Sequence, residues 1–224
     1  MKTAENRQPV HIGRVVRNAR VFNFRHPRGD SLNDSALLEA VARLFALLEE
    51  RRIDYLLSGD IALLQYVEGR NTEDIDLIMS LSSLERLPEL RKVGQEEDDF
   101  ARADFAGLQI DLLLISNPLF DEVHRRYATR QSFMEREIPC ATPEGLVLLK
   151  LYALPSLYRQ GNVTRAALYE TDILTLMSVR GVDPEPLFAE LEPHVSATDL
   201  KALHQIVAEI RQRLEHSHRF EPLA

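Results

Sequence analysis

Two aspartates, Asp74 and Asp76, stand two residues apart in the run Thr72-Glu73-Asp74-Ile75-Asp76-Leu77-Ile78-Met79. Few folds can accommodate that pattern. Side chains alternate across a β-strand, so the two acids leave by one face while Ile75, Leu77 and Met79 leave by the other. The apolar face must be buried. The acidic face needs a counter-charge, because a carboxylate buried without a partner is costly and protonates instead. A divalent cation is the simplest one. Mg²⁺ in particular is commonly held by one or two carboxylates together with substrate phosphates. The competing structural reading is an exposed strand edge whose acids are solvated or paired with Arg70 and Lys150.

A third acid, Asp111, interrupts a second apolar run, Ile110-Asp111-Leu112-Leu113-Leu114-Ile115. Upstream, Leu56-Leu57-Ser58-Gly59 ends a strand and leads straight into helical spacing. Small residues at such a junction let a ligand approach the backbone, and free N–H groups at a helix start favour a phosphate. Asp60 follows in the first helical turn, where an acid suits the helix dipole but opposes an anionic ligand.

The remaining pattern predicts three regions. Residues 1–30 form a basic arm, with Lys2, Arg7, Arg14, Arg17, Arg20, Arg25 and Arg28 against Glu5 and Asp30. Residues 31–140 form an α/β core. The spacing predicts helices over 35–52, 59–67, 82–92 and 118–127. Strands are expected over 54–57, 72–80, 100–105, 108–115 and 132–140, with Ala106-Gly107 as a hairpin turn. Residues 141–224 read as helical. Thr142-Pro143-Glu144 is a strong helix start, and further helices are expected over 165–180, 184–191 and 197–215. The segment 155–164 reads as the loosest connection among them.

Composition narrows the function. A net charge of −8 disfavours a long nucleic-acid duplex as partner, although the basic arm leaves room for RNA. No apolar run is long enough for a membrane span, and no leader of signal-peptide type is evident. With a single cysteine, Cys140, the expected location is the cytoplasm. Cys140 lacks a recognisable His–Asp partner for nucleophilic catalysis, and His216 and His218 read as solvated tail residues.

Taken together, Ser58-Gly59, then Arg70-Asn71-Thr72-Glu73-Asp74-Ile75-Asp76, then Ile110-Asp111-Leu112 resemble the nucleotidyltransferase superfamily. The likeness is to its minimal polymerase-beta-like form, and within that to the abortive-infection-type toxin group. The run Cys140 to Leu151 and the later Asp172-Ile173 are similar to the helices that follow the core in that group. The resemblance implies an α+β fold, with a small mixed sheet flanked by helices and a helical C-terminal region. It implies a metal-dependent enzyme that moves a nucleoside monophosphate from an NTP to a hydroxyl or phosphate. In that scheme Asp74, Asp76 and Asp111 hold one or two Mg²⁺ ions, and Asp111 doubles as general base. Ser58 and Gly59 cradle the triphosphate, while Arg70 and Lys150 neutralise it. The acceptor would be a tRNA end, a protein or a small molecule such as an aminoglycoside, and the C-terminal helices offer a surface for a homodimer. The chain departs from the pattern in carrying Ser58-Gly59 at the turn, Asp60 after it, and Leu168-Tyr169 where a Lys-Asp pair is usual. These departures support an alternative expectation: a degenerate member that binds a partner, in the manner of a toxin–antitoxin regulator, without transfer.

Overall fold

Ile75, Leu77, Ile110 and Leu112 have no solvent exposure at all, and they lie at the centre of a seven-stranded mixed sheet. The computed structural model describes residues 34–67, 74–93, 99–133 and 136–217. Among them, α1 (Asp34–Glu50) precedes β1 (Tyr55–Ser58), α2 (Gly59–Leu63), β2 (Asp74–Met79) and α3 (Leu81–Glu85). A short β3 (Arg91–Lys92) leads to the hairpin of β4 (Phe100–Phe105) and β5 (Leu108–Leu114). Then come α4 (Pro118–Arg126) and a second hairpin of β6 (Ala128–Phe133) and β7 (Arg136–Ala141). The chain finishes with α5 (Pro143–Arg159), α6 (Val163–Arg180), α7 (Glu185–Leu191) and α8 (Ala197–Ser217). The sheet order is β3-β4-β5-β2-β1-β7-β6, with β2 parallel to β5 and β1 parallel to β7. This is the mixed α+β architecture expected from the sequence.

Local chemistry accounts for most boundaries. Thr142 accepts a hydrogen bond from the Gly145 amide, with Pro143 at the first helical position of α5. Asn117 and Asn162 cap α4 and α6 in the same way. Gly181, in the left-handed region, ends α6 as predicted. Ala106 and Gly107 both have positive φ, the signature of a two-residue hairpin turn whose twist matches its strands. That turn pairs Phe105 with Leu108 and so sets the whole β4–β5 register. On α1, Val41, Leu44, Phe45 and Leu48 face the core.

Four expectations fail. α5 runs through Pro155 to Arg159, so the loose segment shrinks to the short turn before Val163. A proline inside a helix removes one hydrogen bond. Here Leu151 and Leu154, both fully buried, hold the helix together across it. The helix expected over 82–92 stops at Glu85, and Leu87 and Leu90 are buried by turns instead. The helix expected over 59–67 ends at Leu63 and continues as turns to Tyr66. The single strand expected over 132–140 is one arm of a hairpin. Its partner, β6, reads Ala-Thr-Arg-Gln-Ser-Phe, a polar edge strand without the alternation that would reveal it.

Candidate active site

The β4–β5 turn register, the parallel pairing of β5 with β2 and the antiparallel pairing of β2 with β1 together bring four side chains into line. Arg102, Asp111, Asp76 and Ser58 are successive register partners on four adjacent strands. Strands lie about 4.8 Å apart, so these residues are immediate neighbours on one face. The next row holds Asp104, Gln109 and Asp74. The sheet therefore assembles Asp74, Asp76 and Asp111 on one face, as their spacing required.

Gly59 explains why the turn before α2 carries a glycine. Its φ is +64°, and a Cβ there would lie 1.8 Å from Oδ2 of Asp76. The backbone of the turn and the Asp76 carboxylate share one space, and only glycine leaves room for the acid. Ser58 is fully buried, and its hydroxyl donates to the Asp76 carbonyl oxygen at 3.4 Å. That hydroxyl is turned into the sheet, so a phosphate contact at Ser58 falls to its backbone.

Asp76 sits in a strongly negative setting. Burial, and after it the charges of Asp74, Asp111 and Asp60, push its carboxyl well above the usual carboxylate range, with Lys150 opposing them. A site that resists ionisation of its own acid is short of positive charge. A divalent cation such as Mg²⁺ on Asp74 and Asp76 would offset that deficit. Among the described residues no three His, Cys, Asp or Glu side chains converge as a ready-made metal cage. Mg²⁺ does not require one, since it usually keeps waters and shares its carboxylates with substrate phosphates.

Asp111 is 3% exposed and already engaged. Arg102 grips it with both ends of its fork, Nε to Oδ1 at 2.8 Å and Nη2 to Oδ2 at 3.0 Å. Gln109 Nε2 adds a bond to Oδ1 at 3.2 Å. Such bidentate, charge-assisted pairs are among the strongest side-chain contacts.

Lys150 is also occupied. It is 4% exposed, with Nζ 3.1 Å from Oδ1 of Asp60 on α2 and 2.9 Å from Oδ2 of Asp172 on α6. Its ammonium also lies 4.3 Å from the centre of the Tyr169 ring. Burial alone would weaken its hold on the proton, but Asp60, Asp172 and Tyr169 outweigh that and strengthen it. Asp60, the acid that opposed phosphate in the sequence reading, is thus neutralised from within the protein.

The residue that sequence reasoning missed on this side is Arg165, exposed on the first turn of α6 and stacked against Tyr169. Burial opposes its charge, while Tyr169, Asp74 and Asp76 reinforce it, which puts Arg165 within electrostatic reach of the acid pair. Arg102 was missed as well. The signal lay in the Ala106-Gly107 turn, whose two-residue register places Arg102 opposite Asp111.

The other candidates separate from the site. Cys140 is buried in β7 and its thiol is pushed up to about 12, mainly by desolvation. His216 is exposed and bonds within its own helix. A cleft of about 500 Å³ bounded by Arg43, Glu89, Arg91 and Phe105 contains none of the predicted site residues. Arg70, His218 and the basic arm lie outside the described residues. No helix among those described is long and apolar enough to cross a membrane.

No protein-family model matches this sequence, and no curated protein matches it by sequence. The fold does have solved counterparts. One is an antigenic nucleotidyltransferase-like protein from Paracoccidioides brasiliensis, 17% identical, with a TM-score of 0.55 over 80% of this chain and 89% of that one. Another is the antibiotic-resistance factor ANT(2'')-Ia, 14% identical, with a TM-score of 0.49 over 82% of this chain and 97% of that one. This chain shares its fold with that nucleotidyltransferase-like protein.

Proposed function

We propose that this chain is a Mg²⁺-dependent nucleotidyltransferase that moves a nucleoside monophosphate from an NTP to a hydroxyl or phosphate on an acceptor, with release of pyrophosphate. The observation that carries the reading is Asp76, neighboured by Asp74 and Asp111 on one sheet face and sharing its space with the Gly59 turn. That arrangement, on a nucleotidyltransferase fold, has no evident structural purpose. It holds acids together at a cost the fold alone does not require.

Each residue then takes a role. Asp74 and Asp76 hold the ion. Bound there, Mg²⁺ neutralises triphosphate charge and eases deprotonation of the acceptor hydroxyl. Gly59 keeps the Asp76 carboxylate against the turn, and the backbone at Ser58 and Gly59 faces the triphosphate. Arg165, exposed and electrostatically coupled to the acid pair, takes up phosphate charge, a duty the family resemblance also assigns to Arg70. Lys150 serves by neutralising Asp60 rather than by touching phosphate. The acceptor is an RNA end, a protein or a small molecule, in a cytoplasmic protein that self-associates through its C-terminal helices.

A second reading, a degenerate fold that binds a partner without transfer, is favoured by one observation: Arg102 already occupies both oxygens of Asp111. A calorimetric titration with each NTP separates the two. Mg²⁺-dependent binding that disappears in Asp74→Ala/Asp76→Ala supports the transferase. Failure of every NTP to bind the folded wild type selects the degenerate protein.

A further inference from the structure

We propose that the Arg102–Asp111 pair is a permanent part of the site, and that it supplies from the protein the positive charge that a second metal ion would otherwise bring. On this view, which rests on the nucleotidyltransferase reading, the chain holds one divalent ion, on Asp74 and Asp76. Asp111 is the anchor of an arginine, neither metal ligand nor general base.

Three observations converge. Asp111 accepts three hydrogen bonds, which take up three of the roughly four lone-pair sites of a carboxylate. It is almost wholly buried and Arg102 covers both of its oxygens, so a metal ion would have to compete with the guanidinium for it. Arg102 is fixed from two directions, by its cross-strand partner Asp111 and by the Phe100 ring, 5.7 Å from its guanidinium carbon. Its side chain is nevertheless 42% exposed. Nε and Nη2 are spent on Asp111, and Nη1 makes no hydrogen bond among the described residues. A guanidinium held this way presents one open N–H edge to solvent beside the acid row. An arginine fork suits a phosphate oxygen, and it keeps its charge at any physiological pH. Arg102 senses Asp74 as well as Asp111, so its charge acts on the same acids that would hold the ion.

The chemistry stays balanced. The acceptor oxygen forms a bond to the α-phosphorus as the bond to pyrophosphate breaks. The acceptor proton leaves to solvent water rather than to Asp111, whose two oxygens both accept from Arg102. Arg102 contributes charge and donates no proton in the step.

Electron paramagnetic resonance of Mn²⁺ counts the ions directly. The probes are Mn²⁺ with the α,β-methylene analogues of ATP, GTP, CTP and UTP in turn, added to the full chain. The wild type should bind one Mn²⁺ per chain with a bound analogue. Arg102→Gln, which frees Asp111, should bind two, and Arg102→Gln/Asp111→Asn should return to one. Two ions in the wild type, the second lost in Asp111→Asn, would overturn the proposal, and so would a count that stays at one in folded Arg102→Gln. Should the wild type bind no analogue, the transferase reading itself fails, an outcome distinct from a count of two.

Discussion

Replacing Gly59 by alanine tests whether the turn and the acid truly share one space. Two costs add. The left-handed backbone at φ +64° penalises any Cβ by about 1–2 kcal/mol. The new methyl would also sit 1.8 Å from Oδ2 and 2.2 Å from Cγ of Asp76, and overpacking of that kind costs about 1–3 kcal/mol. Gly59→Ala should therefore lose about 2–5 kcal/mol, a large share of the stability of an ordinary domain. Gly181 supplies the control. Its φ is +68°, but a Cβ there would meet nothing within 4 Å, so Gly181→Ala should show the backbone cost alone. The Asp76→Ala background removes the carboxylate contacts and leaves only the Cβ, 2.7 Å away. In that background Gly59→Ala should recover about 1–2 kcal/mol, measured by urea unfolding as a double-mutant cycle. Additivity of the two substitutions within about 0.5 kcal/mol would refute the shared-space reasoning, as would equal losses for Gly59→Ala and Gly181→Ala.

Other outcomes follow from the site's charges. Because the folded state raises the proton affinity of Asp76, the metal-free protein should lose stability as pH climbs above the ordinary carboxylate range. Asp76→Asn should flatten that slope in a thermal-shift series, and Mg²⁺ should raise the melting temperature of the wild type near neutral pH but not that of the variant. Lys150→Met should cost about 3–5 kcal/mol in urea unfolding by leaving Asp172 buried without its ammonium, and adding Asp172→Leu should restore most of it. The proton affinity of Lys150 is raised on folding, so its contribution should be intact at neutral pH and fade only in alkali above about pH 10. Cys140, buried and with its thiol pushed up to about 12, should react with a disulfide reagent only at the rate of unfolding; prompt labelling of the native protein would contradict its placement.

Features governed by neighbours in the chain were legible in the sequence. The Asp74/Asp76 alternation, the Thr142-Pro143 start, the Gly181 stop and the Ala106-Gly107 turn each rest on a few adjacent residues, and each stands where expected. The assignments that needed distant partners were harder. Lys150 read as a phosphate ligand because its two acids, at positions 60 and 172, come from elements far apart in the chain. The Arg102 partner of Asp111 was hidden because it stands on the opposite strand, nine residues away in the chain. β6 escaped because an edge strand has only one neighbour and no obligation to alternate.

The row from Arg102 through Asp111 and Asp76 to Ser58 also bears on how the protein comes to exist in the cell. Its members arise in three separate stretches of chain, and the central pairing is a parallel one, which closes a long loop before it yields any contact. The β4–β5 hairpin can pair Arg102 with Asp111 locally, but nothing local completes the row. Lys150, which quiets Asp60 beside it, arrives later still during synthesis. A nascent chain thus keeps Asp111 apart from the Asp74/Asp76 pair until the sheet closes, and the full row stands only when folding is essentially finished.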